Sequence, residues 1–425
     1  MTTSDRTTSD GLIDSRAPLV PLHKNVDYRW LISGQTVSVI GTSITTFAFL
    51  YYTLDVTGSA TLATTVSASH ALASALVGLP GGALVDRMSR RRVLIWSTLI
   101  SSGLMAALVF VHLTLGAIPV PVLALGAFMV GASNSFYSPA ERGLLKEIVP
   151  PSQLGTAMAV NQGRFSLGSL IGPPLSGLLF AAGRAVPFLF DVVTYVFAAF
   201  AASRVRHVEV PRQVDSGSIF RQIFQGFAWL RKSGPLFAIG WYSTLLNFSM
   251  MGIITTVTVH LQQSGETAFS VGIFQGVYGA AGIAGAVWST SLMKKVSIGW
   301  IAVLGAVGFA VTLSLTALVG SYMVLLALVS GCALVLPVFN SATGAYFMTC
   351  TPSAMQGRAS SVLATSAAVL IPLGIWVSGA LVDMVGRPWA VAFFSAVLLC
   401  VTAAFVARAD VRSMPRAEDL DEAVA

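Results

Sequence analysis

The sequence predicts an all-α membrane protein with twelve transmembrane helices in two six-helix bundles. Three observations support that class. Hydrophobic residues fill 55% of the 425 positions and charged residues only 10%, against about 25% charged in an ordinary soluble domain. The apolar residues fall into runs of the length, about twenty residues, that a helix needs to cross the hydrocarbon. Finally, Lys and Arg gather in alternate connections between those runs, and the second half of the chain echoes the first.

The spans read, in order, as 29–53, 61–84, 93–115, 121–145, 155–182 and 186–204, then 236–261, 269–291, 298–318, 322–348, 358–382 and 388–407. Backbone groups in lipid must be paired within the segment or in a closed barrel. The runs are too long and too uniformly apolar for barrel strands, which alternate, so they are helices. The resulting organisation is a polar N-terminal tail over 1–27, bundles over 28–204 and 235–407, a linker over 205–234 and a polar C-terminal tail over 408–425. In the linker, Ile219, Ile223, Phe227 and Leu230 recur at helical spacing, which suggests an amphipathic helical portion at the membrane surface.

Charge sets the orientation. If the N-terminus is cytoplasmic, 22 of the 25 Lys and Arg residues lie in cytoplasmic segments. Only Arg184 and Arg387 fall in outside loops, and Arg164 lies within the fifth span. This is a strong positive-inside asymmetry. It places both tails in the cytoplasm and the chain in a bacterial inner membrane as a multi-pass protein. It also accounts for the net charge of +7 without nucleic acid as a partner. Cys332, Cys350 and Cys400 lie in apolar stretches without metal-ligand spacing, so free thiols are expected and no cofactor is implied.

The halves repeat at a nearly constant offset. Pro151–Ser152 and Pro352–Ser353 are 201 residues apart, and so are Pro139 and Asn340. Gly82 and Gly285 are 203 apart, and each leads to a basic pair, Arg91–Arg92 and Lys294–Lys295. Six spans duplicated in the same orientation describe a transporter arrangement with its substrate site between the halves near the midplane. Such a design needs no second copy, so a monomer is expected.

The stretch "GALVDRMSRRRVL", residues 82–94, joins the second and third spans. It resembles motif A of the major facilitator superfamily, with Gly82, Leu84, Asp86, Arg87, Arg90, Arg91 and Leu94 matching and Ser89 in place of a glycine. The resemblance implies a conformational latch, built on Gly82, Asp86, Arg87, Arg90 and Arg91, that holds the cytoplasmic ends of the halves together in the outward-facing state. In the fifth span, "GSLIGPPLSG" resembles motif C of the superfamily's antiporters through Gly168, Gly172, Pro173 and Gly177, with Ser176 replacing a glycine. Small residues four apart permit close helix contact, and a proline can kink the span, so these four are gate candidates. The "PSAER" and "QGRA" regions are similar to the subgroup of macrolide-efflux and enterobactin-export proteins. In one respect the chain departs from many proton-coupled members: Ala127 stands four residues before Gly131, where they carry an arginine.

Ionisable groups within the spans are expensive and are functional candidates by default. Arg164 lies near mid-depth of the fifth span, Asp191 about five residues into the sixth, and His70 midway along the second. Asp191 is a candidate proton carrier or a partner for Arg164. Asp55 and Asp383, near outer helix ends, are expected to be solvated. Gln35, Asn134, Asn161, Gln162, Asn247, Gln275 and Asn340 are polar at mid-to-inner depth, and some should line the cavity. Trp241, Tyr242, Phe248 and Tyr278 are candidates for stacking on cargo.

The combined expectation is a secondary exporter of amphipathic small molecules, a drug, siderophore or secondary metabolite, with protons as the coupling ion. The absence of the Walker pattern G-x-x-x-x-G-K-[ST] argues against direct use of ATP. Five histidines and no H-E-x-x-H argue against a membrane-embedded enzyme. An importer or uniporter on the same fold, and a non-transporting sensor, are the alternatives.

Overall fold

The computed structural model describes residues 21–85, 88–206, 219–416 and 419. Asp86 and Arg87 therefore lie outside the described residues, as does most of the N-terminal tail. The helices are α1 (Val26–Thr57), α2 (Ala60–Val85), α3 (Arg90–Leu115), α4 (Val120–Ile148), α5 (Pro151–Ala182), α6 (Val186–Arg204), α7 (Ile219–Lys232), α8 (Gly234–Gln263), α9 (Ala268–Met293), α10 (Ile298–Leu315), α11 (Tyr322–Cys350), α12 (Ser353–Val385), α13 (Arg387–Ala407) and α14 (Ala409–Arg412). Among the described residues, 12 helices, α1–α6 and α8–α13, are long and apolar enough to cross a membrane.

The connections between the spans fall on two faces. One carries the chain ends and the basic connections, and is called here the basic face. There the Asn25 side chain caps α1 and donates to the carbonyl of Ile148 at the end of α4. At the opposite face, α1 ends on Gly58 and α3 on Gly116, both in the left-handed conformation that glycine takes at lowest cost. Ser89, which replaces the glycine of motif A, is extended (φ −61°) and accepts from the Arg92 amide at 3.4 Å. It caps α3, and position 89 itself is not left-handed.

The helix neighbours repeat between the halves. In the first bundle α1 packs on α5 and α6, α2 on α4, and α3 on α4 and α6. In the second, α8 packs on α12 and α13, α9 on α11, and α10 on α11 and α13. Advancing every helix label by seven converts one set into the other. The two main contacts between the halves, α5 with α9 and α2 with α12, exchange under the same operation. This is a duplicated six-helix unit with a pseudo-two-fold axis.

Each bundle has its own apolar core. Tyr52, Met105, Phe188 and Tyr195 are buried in the first, and Tyr242, Phe274, Phe309 and Phe394 in the second. A separate cluster joins the halves near the opposite face through Leu50, Leu54, Ala60, Val259 and Val382. Trp96, Phe110, Leu113, Trp288 and Trp300 point outward with more than half of their surface exposed. Water would make that surface costly, whereas hydrocarbon accepts it. In the linker, α7 packs on α12 and α8 with Leu230 buried, so the expected helical portion is present.

Candidate functional site

The contact between α5 and α9 is made by interlocking small residues and prolines. Gly177 abuts Ala268 and Phe269 near the opposite face, and Gly272 and Gly276 then receive Pro173 and Pro174. Gly279 abuts Ser169 and Leu170. A Cβ at Gly276 would stand 2.7 Å from the Pro174 ring and 2.8 Å from the Leu170 carbonyl, so larger residues would force the backbones apart. On its other side α5 presents Gly168 and Gly172 to Val39 and Ser43 of α1. Ser176, the departure from motif C, donates to the Ile44 carbonyl of α1 at 2.9 Å. The motif C residues thus seat α5 against its own bundle and against the other at once.

Beyond Gly279, toward the basic face, the two helices separate. A cavity of about 750 Å³ opens between α5, α9 and α11. Gln162, Ser166, Ser169, Asn340 and Ser341 supply polar groups, and Tyr278, Ile283, Leu336 and Pro337 supply apolar surface. Among the described residues that line it, none is charged. Among the described residues, the close contacts between the halves gather toward the opposite face, and the cavity lies on the basic side of the α5–α9 contact.

The other polar candidates lie elsewhere. Asn134 hydrogen-bonds the Tyr195 hydroxyl within the first bundle at 3.2 Å. Asn247 donates to the Ser243 carbonyl of its own helix at 2.8 Å. Gln275 approaches the Thr258 hydroxyl at 3.5 Å. Gln35 is 2% exposed with its Nε2 unpartnered. Tyr242 and Phe248 are core residues, and Trp241 is 59% exposed on the outer surface of α8; of the four aromatic candidates only Tyr278 faces the cavity. The His70 ring lies beside Phe49, 6.0 Å between centroids, in a packed setting.

Arg164 does not meet Asp191. Arg164 lies 18 residues before the end of α5 at Ala182, while Asp191 is five residues past the start of α6 at Val186. Both ends are at the opposite face, so the two groups differ in depth by roughly 20 Å at 1.5 Å per residue. Arg164 instead pairs with Glu141 of α4 and bonds the Asn161 side chain one turn before it. Its Nε and Nη1 have no partner. Asp191 accepts from Thr45 of α1 at 2.6 Å and from Thr194 at 2.7 Å, and is fully buried. Gly41 makes this approach of α1 possible, because a Cβ there would collide with Asp191 and Thr194.

The sequence reading missed Glu141. It stands beside Arg142, near Lys146, in a stretch read as a basic helix end. The available signal was its helical register with Asn134 and Tyr137, which puts three polar side chains on one face. Asp55 and Asp383, expected to be solvated, are both exposed, and both also have protein partners. Asp55 pairs with Arg184 at 2.7 Å, and Asp383 bonds the start of α2. Their positions at helix ends bring them to the ends of neighbouring helices, which polarity alone does not reveal.

Of the motif A residues, Gly82 lies in α2. Arg90 of α3 pairs with Glu147 of α4 at 2.6 Å and lies against Gly143. Arg91 donates to the carbonyls of Ala202 and Ser203 at the end of α6, where a cation also favours the helix dipole. These partners all belong to the first bundle, which they tie together at the basic face.

Two duplicated six-helix bundles with a polar-lined cavity at their α5–α9 contact have the architecture of a membrane transporter. The chain belongs to the Major Facilitator Superfamily, whose sequence model matches residues 31–336. It is 28% identical over 226 residues to macrolide efflux protein A of Streptococcus pyogenes, covering 52% of this chain and 55% of that protein; the chain thus spans about half the length of this relative. It is 26% identical over 386 residues to the multidrug efflux pump Tap of Mycolicibacterium fortuitum, covering 81% of this chain and 87% of that one. A putative bacilysin exporter of Bacillus subtilis is 27% identical over 147 residues, 34% of this chain and 35% of that protein. Among solved structures, a mutant form of the nucleoside transporter NupG superposes with a TM-score of 0.75 at 13% identity, over 90% of this chain and 99% of that one. A bacterial homologue of the iron transporter ferroportin in its inward-facing state gives 0.72 at 15% identity, over 91% and 98%.

Proposed function

We propose that this transporter is a secondary exporter of amphipathic small molecules, such as an antibiotic, a siderophore or another secondary metabolite, driven by protons moving the other way. The observation that carries the reading is the cavity itself. About 750 Å³ lined by hydroxyls, amides, one tyrosine and aliphatic surface suits a drug-sized molecule held by shape and a few hydrogen bonds. The relatives named for macrolide, multidrug and bacilysin export favour outward transport.

The basic face is the cytoplasmic one under the positive-inside rule, with both chain ends on that side of a bacterial inner membrane. Cargo then enters the cavity from the cytoplasm or the inner leaflet. Export requires the α5–α9 and α2–α12 contacts to part at the outer face while the cytoplasmic ends close. Of the motif C gate residues, Pro173 and Gly177 form the surface along which α5 moves on α9, while Gly168 and Gly172 hold α5 to α1 as it moves. Arg90 and Arg91 keep the first bundle rigid, and the motif A turn at Gly82, Asp86 and Arg87 latches the cytoplasmic side once closed. The cavity is built by one chain, so a monomer suffices.

Two buried carboxylates are the proton carriers to weigh. Asp191 is held by two threonine hydroxyls, and among the described residues no cation pairs with it. Glu141 is paired with Arg164, whose spare N–H groups leave room for exchange of partners. A carboxylate lacking a fixed counter-charge in a low-dielectric site is suited to binding and releasing a proton during a transport cycle, which favours Asp191.

The test uses everted membrane vesicles acidified inside, a pH-sensitive probe and a panel of antibiotics, siderophores and dyes. Wild type should show cargo-dependent alkalinisation that Asp191→Asn abolishes while remaining folded and inserted. Cargo efflux that persists in a protonophore would overturn proton coupling. Flux that runs only down the cargo gradient, in either direction, would make the chain a uniporter.

A further inference from the structure

The pentapeptide Gly-Ala-Leu-Val-Asp occurs twice, at 82–86 and at 379–383. Residues 82–85 of the first copy lie at the basic end of α2. The second lies near the end of α12, at the opposite face. There Asp383, a residue of the second bundle, reaches the first turn of α2 in the first bundle. Its Oδ2 accepts from the Ser59 hydroxyl at 2.8 Å and from the Thr61 amide at 2.8 Å, and its Oδ1 accepts from the Ala60 amide at 3.1 Å.

The amides of a first helical turn have no partner within their own helix, and the helix dipole adds positive potential there. Asp383 therefore supplies an N-cap from the other half of the molecule. One turn earlier, Gly379 lets the backbones touch. A Cβ there would stand 2.5 Å from the Ala60 carbonyl, and the Thr61 hydroxyl donates to the Gly379 carbonyl at 3.3 Å. None of these bonds survives if α2 and α12 separate at this face, and opening the cavity there requires that separation.

We infer that Asp383 is a conformational latch of the opposite face: by capping α2 across the two halves it stabilises the state open to the basic face, and each transport cycle must release it. Asp383 touches neither the cavity nor a proton site, so its role is positional. A same-face carboxylate supplies the control. Asp55 pairs with Arg184 inside the first bundle and has no reason to bias the halves.

The experiment measures distances between spin-label pairs on purified, cargo-free protein in lipid nanodiscs, with Cys332, Cys350 and Cys400 replaced. One pair, Leu115→Cys with Leu318→Cys, spans the opposite face at exposed positions. The second, Lys146→Cys with Lys295→Cys, spans the basic face. Asp383→Ala should raise the fraction with a long opposite-face distance and a short basic-face distance by about tenfold, the scale expected of a lost cap. Asp383→Asn, which keeps one acceptor oxygen, should shift it less, and Asp55→Ala should not shift it. Gly379→Val, which pushes the backbones apart, should shift it in the same direction as Asp383→Ala and serves if that variant does not fold. Unchanged distances in Asp383→Ala and Gly379→Val, or an equal shift in Asp55→Ala, would overturn the latch. The readout involves neither cargo nor protons, so it stands or falls apart from the export reading.

Discussion

Arg164 and Glu141 form an ion pair between α5 and α4 in which each side chain is only 2% exposed. Removing one partner of such a pair strands a charge in a dry interior and costs about 3–5 kcal/mol, whereas replacing both by apolar groups is often neutral. Arg164→Met and Glu141→Leu should therefore each lower the thermal unfolding midpoint in detergent strongly, and the double variant should recover most of the loss. A double variant as unstable as the sum of the singles would show that the two groups are not coupled.

Gly41 and Gly163 make opposite predictions for the same substitution. A Cβ on Gly41 collides with Asp191 and Thr194, whereas Gly163 has nothing within 4 Å. Gly41→Ala should destabilise by about 1–3 kcal/mol, the usual range for overpacking a core, and should disturb the setting of Asp191. Gly163→Ala should be tolerated. Thermal unfolding of the two variants side by side checks both.

The spans are legible in the sequence because the bilayer leaves the backbone few choices. Their ends are less so. The fifth reads as 155–182 and the eleventh as 358–382, but α5 is Pro151–Ala182 and α12 is Ser353–Val385. Hydropathy marks only the slab of hydrocarbon, and a helix continues past it wherever its polar end can still pair. Single polar residues are legible as candidates, yet their partners are not. Arg164 needed a carboxylate, and depth along antiparallel helices chose Glu141 over Asp191. Asn134 and Asn247 sit on helix faces that bond Tyr195 and Ser243. Depth can be read from the count of residues; the facing direction depends on which helices become neighbours, and that is a tertiary fact.

Cargo contact should follow the cavity lining. Asn340 and Gln162 each offer an amide to the cavity, and neither is part of an apolar core. Asn340→Leu and Gln162→Leu should raise KM for cargo severalfold with little effect on thermal stability. Trp241→Ala, on the outer surface of α8, should leave KM unchanged. A larger effect at Trp241 than at Asn340 would move the cargo route to the lipid-facing side of α8.

Arg387 opens α13 and closes α10. Its guanidinium donates to the Thr316 carbonyl at 2.5 Å and to the Val319 carbonyl, and approaches His260 Nε2 at 3.3 Å. The carbonyls lie just past the end of α10, where the last acceptors of a helix need donors and favour a cation. Hydrogen bonds from a charged donor contribute about 1.5–3 kcal/mol, so Arg387→Ala should lower the unfolding midpoint by several degrees. Nη2 serves both carbonyls while Nη1 approaches His260; Arg387→Lys keeps the charge but not this second nitrogen, and should restore only part of the loss. Full restoration by lysine would mean that a charged donor near the end of α10, rather than the second nitrogen beside His260, is what the second bundle requires at this corner.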